Sequence, residues 1–223
     1  MKKTPVERAP RKPSASARTR STPKRAARRR RKPEEAAKEI LDAAERFLRA
    51  RPFRDLQVWN LMDQTGLTRS SFYHYFVDRH ELMMRLIERL TLELSPMNEV
   101  WFRGGGDPVT NLREGYEGVG QFWSQHGPVL RAIADAATHD RKVEKAYRAF
   151  VDRFVRMTAA RIRTDIAAGL IPPLEADETA KALILMSERY LNEHLGKRTP
   201  RDWRPVVEIL VTIWQRALYG ETR

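Results

Sequence analysis

From Pro33 to Tyr219 the apolar residues return at three- and four-residue intervals. That spacing constrains the fold more than any other feature of the chain. Ala37, Ile40, Leu41, Ala44, Phe47 and Leu48 fall on one face of a helix with 3.6 residues per turn. Pro33, Glu34 and Glu35 start it well, because proline suits the first helical position and acids favour the positive end of the helix dipole. Arg51-Pro52 ends it. The same spacing predicts a short helix over 58–65 with Val58, Leu61 and Met62 inward, a third over 68–76, and a fourth capped by Asp78. Gly66, in the turn before the third, is expected at positive φ. The GGG of 104–106 with Asp107-Pro108 is a clear break. Five more helical segments follow, over about 108–126, 128–138, 141–169, 176–195 and 201–219, with Gly127-Pro128 read as the first break among them. No run alternates as a strand does, and no hairpin dipeptide joins two strand-like runs. The expected fold is all-α, with about nine helices.

The net charge of +13 lies almost wholly in one place. Residues 1–33 hold 14 Lys plus Arg against the single acid Glu7, so the remaining 190 residues sum to zero. The tail is rich in Pro, Ser and Ala and lacks large apolar side chains, a composition that predicts disorder. It reads either as a solvated solubility tail or as an arm that binds a polyanion by releasing condensed counterions. The absence of cysteine excludes disulfides, thiolate metal sites and a cysteine nucleophile. No apolar run approaches the ~18 residues of a membrane span, so no membrane partner is expected. The expected location is the cytoplasm, associated with the nucleoid.

The stretch TGLTRSSFYHYF, residues 65–76, is too polar for plain core and too aromatic for plain surface. As a helix it divides by face. Phe72, Tyr75 and Phe76 lie at i, i+3 and i+4 and pack inward, while Arg69, Ser70, Tyr73 and His74 lie opposite. Thr68 and Ser71 sit at the helix N-terminus, where free backbone N–H groups attract anions. Two short helices joined by a turn, the second polar at its start, form the helix-turn-helix pattern, here over about 57–76. Arginine can donate two bonds to guanine, and the hydroxyls can hold phosphates. An ordinary helical hairpin has the same outline.

Gly66, Leu67, Thr68, Arg69, Ser70, Ser71, Phe72, Tyr73, His74, Tyr75 and Phe76 follow a family pattern. That pattern is glycine, an apolar residue, Ser or Thr, two variable residues, Thr or Ser, an apolar residue, Tyr, one variable residue, His or Tyr, and Phe. The region over 34–94 therefore resembles the DNA-binding domain of the tetracycline-repressor (TetR) family of transcriptional regulators. The resemblance implies that Thr68, Arg69, Ser70, Ser71, Tyr73 and His74 touch double-stranded DNA and that Arg79 anchors a phosphate. Three departures stand out. Met62 replaces a usual alanine, Val77 a common proline, and Gln57 a Ser or Thr that often caps the second helix.

The resemblance also implies that 95–223 forms a domain that binds a ligand and dimerises, and that ligand releases DNA. Suitable cavity material is Trp101, Tyr116, Phe122, Trp123, Phe154 and Trp214, although aromatics at helical spacing serve equally as core. The segments LILMSERYL and IWQRALYGETR are similar to those of one mycobacterial member, whose pocket offers two asparagines. Ile184 and Ser187 stand at those positions, which predicts a greasier pocket and a small apolar effector. The last helix, from Val206 to Tyr219, is polar only in a stripe of Glu208, Thr212, Gln215 and Arg216. Its broad apolar arc predicts burial on two sides and a homodimer, with Leu191, Leu195, Val207, Leu210, Val211 and Leu218 at the interface.

The five histidines show no paired metal-ligand spacing, and there is no GxSxG and no phosphate-binding glycine loop. Neither catalysis, a metal nor a cofactor is expected. The reading is a dimeric repressor released from a palindromic operator by ligand. An effector-independent architectural DNA protein, and an enzyme or small-molecule carrier using the C-terminal cavity, are the alternatives.

Overall fold

The structure is a computed structural model that describes residues 33–97, 99–199 and 201–220. The basic tail up to Lys32 lies outside the described residues. Among the described residues there are nine α-helices and no strand: α1 (Pro33–Ala50), α2 (Val58–Met62), α3 (Arg69–Tyr75), α4 (Arg79–Met97), α5 (Glu99–Arg103), α6 (Pro108–Ala137), α7 (Arg141–Ala167), α8 (Ala176–Leu195) and α9 (Arg204–Leu218). A 3-10 turn, Phe53–Asp55, separates α1 from α2.

Helices α1 to α3 bury one small core. Ile40, Ala44, Phe47 and Leu48 of α1 meet Leu61 and Met62 of α2 and Phe72 of α3. The capping chemistry follows the sequence closely at three starts. Asp78 Oδ1 accepts from the His80 and Glu81 N–H groups, at 2.8 and 2.9 Å, and opens α4. Asp107 Oδ2 accepts from Thr110 N–H at 2.7 Å ahead of Pro108. Asp140 Oδ1 accepts from the Lys142 and Val143 N–H groups, at 3.0 and 3.2 Å, to open α7. Each carboxylate satisfies backbone donors that have no partner within the helix.

Gly127-Pro128 does not break the chain. One helix, α6, runs through both residues. Proline forfeits its own N–H and crowds the preceding turn, and Arg49 Nη1 of α1 donates to the Gln125 carbonyl beside it at 2.6 Å. Gly127 serves close approach here. A Cβ there would stand 2.1 Å from the Leu195 carbonyl oxygen at the end of α8. The long α6 thereby becomes the axis of the fold, packing against α1, α4, α5, α7, α8 and α9.

Gly66 is absent from the glycines at positive φ. The turn after α2 is held instead by Thr65, whose hydroxyl donates to the Met62 carbonyl at 2.8 Å and accepts from Leu67 N–H at 3.2 Å. The Gly66 N–H donates to Glu39 Oε1 of α1 at 2.7 Å. A side-chain hydroxyl closes this turn, so left-handed backbone is not needed.

Two polar hubs tie the layers together, and neither was visible in the sequence. In the first, His126 of α6 bridges Glu45 of α1 (Nδ1 to Oε1, 2.8 Å) and Glu93 of α4 (Nε2 to Oε1, 2.9 Å). Arg89 of α4 reaches Asp42 at 2.6 Å and also pairs with Glu45. Burial alone would raise the Glu45 carboxyl, but hydrogen bonds from His126 and Arg49 and the charges of His126 and Arg89 hold it at about 2. Burial alone would lower His126, yet its bond to Glu45 and the charges of Glu45 and Glu93 raise it above the ordinary value. In the second hub, Arg161 and Asp165 of α7 form a buried two-point ion pair at 2.8 and 3.0 Å. Tyr219 donates to Asp165 at 2.8 Å and accepts from Trp101 Nε1 at 3.1 Å. Burial and the bond to Asp165 push Tyr219 up to about 12.

Candidate DNA-reading surface and effector cavity

Helix α3 separates its residues as its periodicity demands. Phe72 and Phe76 are buried, and Tyr75 packs half-buried against the same core. Thr68, Arg69, Ser70, Tyr73 and His74 are exposed, with Tyr73 at 53%. Ser71 is half-buried. Thr68 occupies the N-cap position with extended backbone, but its side chain makes no cap bond. Its hydroxyl lies instead 2.8 Å from Ser70 Oγ and 2.9 Å from Ser71 Oγ. The three hydroxyls share one cluster, so the first-turn N–H groups are not closed by the threonine. That arrangement suits an incoming anion.

Arg79 sits at the start of α4, half-buried. Its Nη1 donates to the Leu56 carbonyl at 3.2 Å, and its guanidinium lies 5.0 Å from the Phe53 ring centre. It therefore holds the 53–56 turn against α4 with one of its five donors. Gln57, where a hydroxyl cap is usual, accommodates α2 differently: its N–H donates to Asn60 Oδ1 at 3.1 Å. Trp59 of α2 is exposed beside this region, and the sequence reading passed over it.

The second feature is a cavity of about 100 Å³ whose wall draws on every helix from α4 to α9. Trp101, Tyr116, Trp123, Phe154, Ile184, Ser187 and Trp214 all line it. Phe122 does not. It is one residue, and so about 100° of helix rotation, from Trp123, and it packs 4.8 Å from the His126 ring in the core between α6 and α1. Leu94, Leu112, Phe150, Thr158, Glu188 and Leu191 also belong to the wall. Phe150, Phe154 and Thr158 recur at i+4 on α7, a spacing that could have disclosed Thr158.

Ser187 is engaged inside the wall. Trp214 Nε1 donates to its oxygen at 2.9 Å, and Tyr116 OH lies 2.9 Å from the same oxygen. Burial pushes the Tyr116 phenol well up, so it stays protonated. Trp214 also meets Trp101 and Tyr116 edge-on, with ring centres 5.5 and 5.4 Å apart. Ser187 thus fixes an aromatic cage rather than standing open as an anchor.

The six residues expected at a dimer interface point elsewhere. Leu191, Leu195, Val207, Leu210, Val211 and Leu218 are all buried within the single chain, and Leu191 lines the cavity. The broad apolar arc of α9 serves its own core with six residues. A narrower face stays exposed: Ile209 at 48% and Ile213 at 39%, one turn apart, with Leu185 exposed on α8.

Comparison with known proteins agrees with this two-part geometry. Residues 40–86 match the family described as bacterial regulatory proteins, tetR family, and residues 112–220 match the C-terminal domain of the transcriptional regulator EthR. The chain belongs to the TetR family. As a member it is a DNA-binding transcriptional regulator. It is 29% identical over 188 residues to the HTH-type transcriptional regulator EthR of Mycobacterium tuberculosis (strain CDC 1551 / Oshkosh), covering 82% of this chain and 87% of the relative. It is 28% identical over 184 residues to the EthR of Mycolicibacterium smegmatis, covering 81% and 85%. Among solved structures, a TetR-family regulator from Syntrophomonas wolfei superposes with a TM-score of 0.72 at 13% identity, covering 83% of this chain and 95% of that one. Salmonella enterica GusR gives 0.71 at 16% identity, covering 84% and 97%. These likenesses establish the TetR fold. Among the described residues no helix of this TetR-family chain is long and apolar enough to cross a membrane.

Proposed function

We propose that this TetR-family protein is a dimeric repressor that leaves a palindromic operator when a small, largely apolar molecule enters its cavity. In this reading 34–94 is the DNA-reading domain and 95–223 the ligand and dimerisation domain. Residues Thr68, Arg69, Ser70, Ser71, Tyr73 and His74 enter a major groove, and Arg79 braces the turn beside it. The observation that carries the proposal is the course of α4. The helix begins at Arg79, against the turn that precedes α2, and ends beside the cavity, where Leu94 forms part of the wall. A ligand that moves the far end of α4 would alter the spacing of the reading helices in a dimer.

A second copy fits the exposed Leu185, Ile209 and Ile213 of α8 and α9, which leaves the buried residues of those helices to the monomer core. A twofold dimer reads half-sites about 34–36 Å apart or a multiple of that. A coupling of about 1–3 kcal/mol suffices for a 5–150-fold change in DNA affinity. Selection of genomic fragments by the purified full-length protein tests the reading. The expected result is a twofold-symmetric motif. Enrichment without any motif would favour the effector-independent architectural protein instead.

A further inference from the structure

The cavity wall carries one charged group. Glu188 of α8 lies beside Ser187 among the lining residues. Its Oε1 accepts from two donors, the Tyr147 hydroxyl and the Asn192 side-chain amide. Both bonds go to the same oxygen, and among the described residues no donor reaches Oε2. Burial and the nearby negative charge of Glu188 push the Tyr147 phenol up, which keeps that donor protonated. Among the described residues no Lys, Arg or His forms an ion pair with Glu188. A half-buried carboxylate on an apolar wall with no paired cation offers a cationic ligand a charged acceptor.

A second observation points the same way. Thr158 Oγ1, fully buried and also in the lining, has no hydrogen-bond partner. Buried hydroxyls are nearly always paired, so this atom is free to meet a ligand. The same wall carries the rings of Trp101, Tyr116, Phe154 and Trp214, whose faces attract a cation and whose bulk suits an apolar body.

We propose that the natural effector is a lipophilic amine, whose ammonium group binds the free oxygen of Glu188 while its apolar body fills the aromatic cage. This rests on the reading of the cavity as the effector site and sharpens it from an apolar ligand to a cationic amphiphile. A carboxylate already held by two donors meets an ammonium in a charge-assisted bond, roughly twice as strong as a neutral one. An alcohol of the same length gives up the charge, and a fatty acid meets repulsion.

The test compares three probes of one chain length, octylamine, 1-octanol and octanoate, by tryptophan fluorescence and calorimetric titration of the full-length protein. Octylamine is expected to bind at least about tenfold more tightly than octanol, with octanoate weakest. In Glu188→Gln, which keeps the shape and one acceptor, the amine preference should fall to within about twofold. Equal binding of amine and alcohol by the wild type overturns the inference and leaves the cavity reading standing. So does an amine preference that survives Glu188→Gln. If none of the three binds, the cavity reading falls and the inference falls with it. The wild-type comparison decides the matter even if the variant does not fold.

Discussion

Glu45 is the most connected side chain between the reading helices and the axis of the fold, and replacing it by glutamine gives a defined pH signature. The residue accepts from Arg49 on its own helix at 2.7 Å, pairs with Arg89 on α4, and meets His126 on α6 at 2.8 Å. A carboxyl lowered from 4.5 to about 2 contributes at most about 3.5 kcal/mol, since each pH unit is worth about 1.4 kcal/mol. Partial contact with solvent screens this to about 2 kcal/mol. The sign follows from the direction of each shift. The Glu45 contribution is complete above its unfolded value near 4.5 and is lost as the pH falls toward 2. The His126 contribution is complete below its unfolded value of 6.5 and is lost as the pH rises through its raised folded value. The stability difference between wild type and Glu45→Gln should therefore peak between about pH 4.5 and 6.5 and shrink on both sides. Urea unfolding followed by far-UV circular dichroism at pH 3, 5.5 and 8.5, at one protein concentration, measures it. A difference that is flat across this range, or that is no smaller at pH 8.5 than at pH 5.5, would refute the linkage between Glu45 and His126.

Three further outcomes follow from particular contacts. Gly104→Ala should destabilise by more than about 1 kcal/mol, because the position has φ +74° and a Cβ would meet the buried Arg161 guanidinium; Gly105→Ala, at φ +87° in open space, should cost less, as paired thermal melts will reveal. Ile213→Glu should shift sedimentation toward monomer with a change in folding stability within about 0.5 kcal/mol, since the side chain is surface-exposed. Removing residues 1–32, which carry 14 cations, should flatten the dependence of log K on log salt while leaving the ranking of DNA sequences intact; equal slopes for full-length and truncated protein would exclude the tail as a phosphate-binding arm.

The helical pattern was legible wherever local chemistry decides structure. Asp78 announces a helix start because a short carboxylate reaches backbone donors two or three residues on, and Asp107 and Asp140 do the same at starts read from the sequence only as breaks. The two faces of α3 follow from 3.6-residue spacing alone. Gly127-Pro128 misled because its meaning is tertiary: glycine admits the end of α8, and Arg49 from α1 caps a carbonyl beside the proline. The interface residues misled for a related reason. An apolar arc shows how much of a helix is buried without showing by what, and the core of the same chain took most of α9. Seven of the eight expected cavity residues line the cavity; Tyr116 and Trp123, at i+7, share one face of α6, and Ile184 and Ser187 were marked by the family resemblance. Glu188 was invisible as a cavity group, since its setting depends on Tyr147, 41 residues earlier. The His126 and Asp165 hubs likewise join residues from separate helices.

The central claim is that the exposed face of α3 selects DNA sequence. It is tested most directly by the fluorescence anisotropy of a selected operator and of a scrambled duplex with wild type and with Arg69→Ala plus Tyr73→Ala. Both side chains are exposed, so the melting temperature should hold. The account predicts that operator affinity falls at least about tenfold, at about 1–3 kcal/mol for a lost base contact, while scrambled-duplex affinity changes little. Undiminished discrimination by the double variant, with its fold intact, would contradict it.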